Sequence, residues 1–150
     1  MVRLRTDLRR LARDKAGASA VEFALVAPVL CMVAAGTVDA GRYIARTIEV
    51  NAAAQAGADY AKVAGWNAAG IAGVVRNAAK GSVTALPAVL SQGCAVSGAI
   101  VAPSGARCPE GDLPGRFVTV RAQTTFTPLA PWPAIPLPSR ITADAQVRIP

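Results

Sequence analysis

Hydrophobic and polar positions divide the chain into three regions of different pattern. Residues 1–16 are polar and basic, residues 17–38 are apolar almost throughout, and the remainder mixes shorter apolar and polar stretches. The run 18–38 holds 21 residues whose only charged side chain is Glu22. A helix that spans the ~30 Å hydrocarbon core of a bilayer needs roughly 17–25 residues, so this run predicts a transmembrane helix with Glu22 near one interface. Pro28 lies inside the run and predicts a kink, which membrane helices tolerate.

The helical pattern continues beyond the apolar run. Residues 39–64 are rich in alanine, and their spacings of three and four predict a helix with one core-facing stripe. The predicted stripe comprises Tyr43, Ile44, Ile48, Ala52, Gln55, Ala56, Asp59, Tyr60 and Val63. A helix over residues 18–64 would be about 70 Å long, which exceeds the hydrocarbon core. We therefore expect its second half to stand outside the membrane and carry a small domain.

A second, weaker amphipathic helix is predicted for residues 68–80, with Ile71, Val74, Val75 and Ala78 on one face and Gly81 as its stop. Residues 83–92 fit no single pattern. Residues 93–116 are rich in glycine and proline and predict a loop with one short strand at 99–102.

The C-terminal third predicts two antiparallel strands. Residues 117–126 and 140–149 alternate polar and apolar positions, as half-buried strands do. Between them, residues 128–138 hold five prolines, which excludes a helix or a central strand there. The sequence therefore predicts an α+β fold, in which a long N-terminal helix is followed by a second helix and a C-terminal antiparallel hairpin or small sheet.

Charge supports membrane topology better than nucleic-acid binding. The formal net charge is +7, and residues 1–16 carry +4 of it. A nucleic-acid domain would spread basic residues over a folded face with aromatic side chains for stacking, but only 5% of this chain is aromatic. Basic residues before an apolar segment mark a cytoplasmic flank. We therefore expect a single-pass membrane protein with a cytoplasmic N-terminus and an extracytoplasmic C-terminal domain.

The sequence predicts no catalytic residues, metal site, cofactor, small-molecule substrate or nucleic-acid partner. It contains no histidine, the commonest general base and metal ligand, and two thiolates in one loop are too few for a zinc site. Cys94 and Cys108 lie 14 positions apart in the predicted outer loop, where they either close a disulfide or remain two unpaired thiols. Cys31 is interpreted as a small apolar side chain within the membrane.

The run GASAVEFALVAP at residues 17–28 resembles the N-terminus of TadE-like proteins, the minor pseudopilins of the Tad (Flp) pilus assembly system. The segment DAGRY at 39–43 resembles the patch that follows the membrane segment in that family, and NAAAQAGA at 51–58 resembles its alanine-rich continuation. The resemblance covers about residues 10–62. The related TadF and TadG proteins share the first motif, and the short length of this chain favours TadE.

This resemblance implies cleavage after Gly17 by a prepilin peptidase, which would leave Ala18 as the new N-terminus. A glycine before the cut lets the protease approach the backbone closely. Glu22 would then neutralise the new α-amino group during assembly, with Phe23 beside it in the packing surface. The implied partners are other pilin-like subunits, the Tad assembly platform, the peptidase and the membrane, which the resemblance identifies as a bacterial inner membrane. The implied divisions are a leader (1–17), a transmembrane segment (18–38), a helix continuation (39–64) and a small outer domain (65–150).

Alternative hypotheses remain open on the residues alone. The sequence Val38-Asp39-Ala40 fits a small-x-small signal-peptidase site, which would release a soluble periplasmic binding protein that starts near Gly41. A plain signal anchor and a membrane-anchored enzyme are further classes, although no catalytic site is visible. Trp132 is interpreted either as the cap of a thin core or as a recognition or membrane-interface residue.

Overall fold

The computed structural model describes residues 15–97, 99–103, 105, 107–109, 111–130 and 137–150. Most of the predicted basic leader, and Trp132 with both of its alternatives, lie outside the described residues. The elements are two helices, α1 (Lys15–Ala64) and α2 (Ala68–Ala78), followed by five strands. The strands are β1 (Thr84–Ala85), β2 (Val89–Val96), β3 (Ala99–Val101), β4 (Gly115–Thr125) and β5 (Arg140–Ile149). The predicted α+β class, with its long N-terminal helix, is confirmed.

The long helix α1 passes through Pro28 and ends at Ala64. Gly65 follows with φ +72°, the left-handed conformation that commonly ends a helix and that glycine adopts without steric cost. The chain divides into two compact units between Ala40 and Gly41. We call them the N-terminal unit and the C-terminal unit; α1 supplies residues to both.

Helix α2 is defined by polar contacts at its two ends. Asn67 is its N-cap, and the Asn67 Oδ1 accepts a hydrogen bond from the backbone N–H of Gly70 at 2.9 Å, as favoured N-cap residues do. At the other end Gly81 has φ +82°, and its N–H donates to the carbonyl of Arg76 at 2.9 Å. The left-handed conformation begins at Lys80, with φ +49°, so the turn that ends α2 starts one residue before the predicted stop at Gly81.

Strand β4 is the centre of the sheet. It pairs antiparallel with β5 from Arg116↔Ile149 to Thr125↔Arg140, so the predicted pairing of the two C-terminal strands is confirmed. Its other edge pairs first with β2, from Val89↔Thr119 to Gly93↔Gly115, and then with β1. The far end of β2 turns back into β3. The result is a five-stranded antiparallel sheet in which β4 pairs with β5 on one edge and with β2 and β1 on the other.

The prediction of one loop with a short strand for residues 93–116 was wrong at its beginning. Strand β2 runs Val89–Val96 and enters that region, and its hairpin partner β3 spans Ala99–Val101. The sequence VLSQGCAV lacks strict alternation because Gly93 and Cys94 are both buried, so both faces of β2 are covered at that point. Covered faces on both sides remove the period-two signal that identifies a half-exposed strand.

The core of the C-terminal unit lies between the two helices and one face of the sheet. Its buried residues are Val50, Ala53, Ala54, Ala58, Ala61, Ile71, Val75, Ala79, Val83, Val118, Val120, Ala122, Phe126, Ile141, Ala143 and Ile149. On β4 and β5 these are the apolar positions that alternation predicts. Helix α1 contributes mostly alanine, which buries little area per residue but allows the helix backbone to approach the sheet.

The predicted core-facing stripe of α1 was wrong. Ile44 is 58% exposed, Ile48 is 64% exposed and Val63 is 89% exposed, whereas Tyr43 and Tyr60 do pack against the core. The buried face uses Val50, the alanines and Gly57 instead. A Cβ added to Gly57 would lie 2.6 Å from Val75 Cγ2 and 2.9 Å from Val120 Cγ1. The helix therefore approaches α2 and β4 too closely for the bulky residues of the predicted stripe.

The α2 face also differs from the prediction in part. Ile71 and Val75 are buried as predicted, and Val74 is half-buried, but Ala78 is exposed and Ala79 takes its place in the core. The exchange shifts the apolar face by one position at the helix end, where the last turn gives way to the turn at Gly81.

Candidate functional site

The apolar surface of the N-terminal unit is the most unusual surface of the described chain. In the part of α1 that precedes Asp39, Phe23 is 69% exposed and Leu25 is 73% exposed. The other large exposed apolar side chains there are Val21, Val26, Val29, Leu30, Met32, Val33 and Val38. Soluble monomers rarely expose contiguous apolar surface of this extent. A bilayer or a protein partner is therefore needed to cover it.

The length and composition of α1 satisfy the requirements of a membrane span. The segment Ser19–Ala64 holds a window apolar enough to cross a bilayer, and none of that window is buried within the chain. A core helix of a soluble protein can be equally long and apolar, but most of its apolar residues would be buried within the chain. A signal sequence near an N-terminus would also pass, so length and composition alone do not exclude the secreted alternative.

The predicted processing residues lie at the beginning of α1. Gly17 is the third residue of the helix, which begins at Lys15, and it is exposed. A Cβ built on Gly17 meets no atom of the described residues within 4 Å, so their packing does not require glycine there. The first turn of a helix lacks half of its backbone hydrogen bonds. Ala18, the predicted new N-terminus, is helical and adjoins this turn.

Glu22 and Phe23 lie one turn further along α1, and both are exposed. Their role in assembly stays a prediction. Pro28 is accommodated within α1 without interruption of the helix, and the kink predicted there also stays a prediction. Cys31 is a free, exposed cysteine on the same apolar surface.

The disulfide predicted from the outer loop is present in the structure. Cys94 on β2 is bonded to Cys108, with their Cα atoms 5.5 Å apart. Cys94 is 1% exposed, and Phe117, on the face of β4 opposite to Val118, is 5% exposed. The two cysteines and Phe117 line one small cavity with Arg148. The disulfide therefore fastens the loop after β3 over a second, minor apolar cluster on the outer face of the sheet.

A polar clip joins α1 to the turn before β1 within the C-terminal unit. The Ser82 hydroxyl donates to Glu49 Oε1, and Arg46 Nη1 lies 2.7 Å from Glu49 Oε2. The hydroxyl of Thr124 in turn donates to the carbonyl of Ser82 at 2.9 Å. The Ser82 hydroxyl, followed by the Arg46 guanidinium, lowers the pKa of the Glu49 carboxyl below its ordinary value, because both groups favour the ionised form.

Two exposed isoleucines continue the apolar character of α1 into the C-terminal unit. Ile44 and Ile48 are four positions apart on the helix, on the face that does not contribute to the core. Residues at this spacing are neighbours on a helix surface. The sequence pattern found these residues and assigned them to the core; the structure leaves them available to a partner.

Residues 17–59 match the family model of the TadE-like protein. The match begins at the predicted processing glycine. It includes the exposed apolar surface and most of the part of α1 that packs on the core. It confirms the resemblance that the motif at 17–28 indicated. No curated protein matches the chain, and no solved structure matches it.

Proposed function

We propose that this chain is a membrane-anchored structural component of a Tad (Flp) pilus assembly system, with the role of a minor pseudopilin rather than of an enzyme. The observation that carries the proposal is that the family match and the exposed apolar run overlap in the sequence. The segment that matches the TadE-like model includes the apolar run at 18–38, whose large apolar side chains are left uncovered by the described residues. A structural subunit that packs through an apolar helix needs such a surface.

The proposed topology places the basic leader in the cytoplasm of a bacterium, residues 18–38 across the inner membrane and the C-terminal domain outside. The positive charge of residues 1–16 supports this orientation. The Cys94–Cys108 disulfide also supports it, because structural disulfides persist in oxidising compartments such as the periplasm. In this topology residues 39–64 continue the helix beyond the membrane, and residues 65–150 form the rest of the outer domain.

Processing after Gly17 by a prepilin peptidase is the first testable step. Replacement of Gly17 by Val should block cleavage, because a side chain before the cut obstructs the extended backbone in the protease. Gly41→Val is the matched control, since a Cβ at either glycine meets no atom within 4 Å. Intact-mass measurement of the membrane-extracted protein is expected to show loss of residues 1–17 in the parent and in Gly41→Val, and full length in Gly17→Val. The same processing state in all three proteins, either all full length or all shortened by residues 1–17, would contradict the proposed cleavage.

Assembly through Glu22 is the second step. After cleavage the Ala18 amino group and the Glu22 carboxylate would be oppositely charged neighbours in an apolar setting, where pairing reduces the cost of desolvating each charge. Glu22→Gln should leave cleavage intact but reduce recovery of the chain in the assembled pilus fraction by about tenfold or more. Asp59→Asn, an exposed acid further along α1, is the control. Full recovery of Glu22→Gln in that fraction would refute the assigned role.

A secreted soluble protein is the second candidate, and one observation favours it. The boundary between the two compact units falls between Ala40 and Gly41, at the predicted signal-peptidase site, and the C-terminal unit has its own core. Against it, residues 38–40 lie in the interior of α1. A protease needs an extended substrate, and extending the helix there breaks more backbone hydrogen bonds than it does in the first turn, where Gly17 lies. Sequencing of the mature N-terminus separates the candidates, because Ala18 supports the pseudopilin, Gly41 the secreted protein and Met1 a plain signal anchor.

A further inference from the structure

A basic cavity opens on the C-terminal unit, close in sequence to the apolar run. It has a volume of about 330 Å³ and is lined by Arg42, Ala45, Arg46, Thr125, Phe126 and Thr127. The two arginines are four positions apart on α1 and therefore share one face of the helix. The other lining residues come from the end of β4 and the chain that follows it. The cavity thus forms only when helix and sheet pack together.

An aromatic cluster fixes the floor of this cavity. Phe126 is 5% exposed, and its ring meets that of Tyr43 edge-to-face with centroids 5.4 Å apart. The Arg42 guanidinium carbon lies 5.7 Å from the Phe126 ring centroid, a cation–π distance. This contact holds the planar guanidinium group at the cavity wall, which reduces the entropy that an incoming ligand must remove from it.

The second arginine is also held in position. Arg46 Nη1 bonds Glu49 at 2.7 Å, and the Arg46 side chain remains 47% exposed. A guanidinium group carries five N–H donors, so one bond to a carboxylate leaves further donors for a ligand. Glu49 itself is engaged by Ser82 as well, on the side of α1 that meets the turn before β1.

A third arginine lies beside the cavity. Arg140 pairs in register with Thr125 and lines an adjoining cavity of about 140 Å³ that shares Thr125. Among the described residues that line these two cavities, three are arginines and none is acidic. Threonine hydroxyls at positions 125 and 127 add neutral donors. Guanidinium forks with hydroxyl donors match the geometry and charge of a tetrahedral oxyanion.

We propose that this cavity binds a phosphate group, and that the phosphate belongs to the headgroup of an anionic phospholipid. Sequence position favours the lipid source, because only three residues separate Arg42 from Val38, the last residue of the predicted transmembrane segment 18–38. In a chain anchored through that span, residues so near its end lie at the depth of the headgroups. The site would fasten the C-terminal unit to the membrane surface. It depends on the anchor but not on cleavage or pilus assembly.

The test uses the full chain in a non-ionic detergent. Native mass spectrometry would count bound dioleoylphosphatidylglycerol, with dioleoylglycerol, which lacks only the phosphoglycerol headgroup, as the matched ligand. Titration calorimetry with inorganic phosphate forms the second arm. We expect about one bound phosphatidylglycerol and no comparable dioleoylglycerol binding. Arg46→Gln should weaken binding about tenfold and Arg140→Gln about threefold, in keeping with charge-assisted contacts.

Arg116→Gln is the control variant, because Arg116 is exposed and lies at the opposite end of β4 from Thr125. Thermal unfolding followed by circular dichroism checks that each variant is folded, and Arg140→Gln decides alone if Arg46→Gln is not. Binding of inorganic phosphate without phosphatidylglycerol would keep the phosphate site but assign it a soluble ligand. Equal binding of dioleoylglycerol, or equal weakening by Arg116→Gln, would overturn the proposal, since the first indicates acyl-chain binding and the second non-specific attraction.

Discussion

The two halves of α1 use apolar residues in opposite ways. Before Ala40 the large side chains are exposed, as with Leu25 at 73%, whereas after Gly41 the buried positions are mainly small, as with Ala61 at 0%. The bulky Ile44 and Ile48 of the second half are exposed as well. Along this helix, side-chain size therefore distinguishes the surfaces that need a partner from the surface that the chain covers itself.

The physical reason is the distance to the covering surface. A helix that packs on its own sheet through alanine and glycine brings two backbones close and gains dense packing from little apolar area per residue. A helix that faces lipid or another subunit gains from large side chains, since the transfer free energy scales with apolar area. Replacements of cysteines, glycines and glutamates test whether the two units differ in this way.

The cysteines also differ between the two units, and their replacement has the largest expected effect on the free energy of unfolding. Replacement of both Cys94 and Cys108 by Ala should reduce the free energy of unfolding by about 3 kcal/mol, because the disulfide closes a loop of 14 residues and restricts the unfolded chain. Cys31→Ala, in the exposed half of α1, should change stability by less than about 0.5 kcal/mol. Urea denaturation of the detergent-solubilised full chain measures both.

Reductant should reproduce the effect of the double replacement in the parent protein, since it breaks the same bond. In the double-alanine protein it should have no effect on the urea midpoint. A midpoint in the parent that does not respond to complete reduction, verified by mass spectrometry, would show that the disulfide adds nothing to the stability of the C-terminal unit.

Two glycines of α1, one in the core and one exposed, should respond to replacement by alanine with opposite changes in stability. Gly57→Ala should destabilise by about 1–2 kcal/mol, because the new methyl group would lie 2.6 Å from Val75 Cγ2 and overpacking outweighs the gain in helix propensity. Gly41→Ala meets no neighbouring atom and should stabilise by up to about 1 kcal/mol. Circular dichroism during thermal unfolding would measure the difference.

A double replacement sharpens this test. A Val75→Ala background removes the closer of the two contacts but leaves Val120 Cγ1 at 2.9 Å from the added methyl group. Gly57→Ala should therefore cost less there, with a coupling of about 1 kcal/mol between the two sites. Additive effects of the two replacements would mean that the close approach of α1 and α2 does not limit side-chain size at Gly57.

These contacts show which parts of the fold the sequence could predict. The paired strands β4 and β5 were predictable because alternation reports directly which positions face a core. The core face of α1 was not, since a pattern weighted by hydrophobicity selects Ile44 and Ile48, and only the three-dimensional approach at Gly57 makes alanines the buried residues. Strand β2 was missed because both of its faces are covered near Cys94.

The candidate sites also differ in how far the sequence could predict them. Gly17 and Glu22 stand out in the sequence because a glycine and a lone carboxylate border an apolar run, and the family resemblance adds their roles. No pattern in the sequence indicated the basic cavity. Arg42 and Arg46 are visible as a pair on α1, but Phe126 and Thr127 follow about eighty residues later and meet them only through the packing of β4 on the helix.

The two glutamates of α1 have the smallest expected difference in their contribution to stability. Because Ser82 and Arg46 lower the pKa of Glu49, its contribution to stability is present above its ordinary pKa of 4.5 and is lost as the pH falls through that value towards the lowered one. Glu49→Gln should therefore cost about 1 kcal/mol at pH 7 and much less near pH 3. Glu22→Gln, in the exposed half, should leave the unfolding of the C-terminal unit unchanged at both pH values. If Glu49→Gln costs as much at pH 3 as at pH 7, the clip stabilises by packing rather than by charge, and the ionised carboxylate is not what joins α1 to the turn at Ser82.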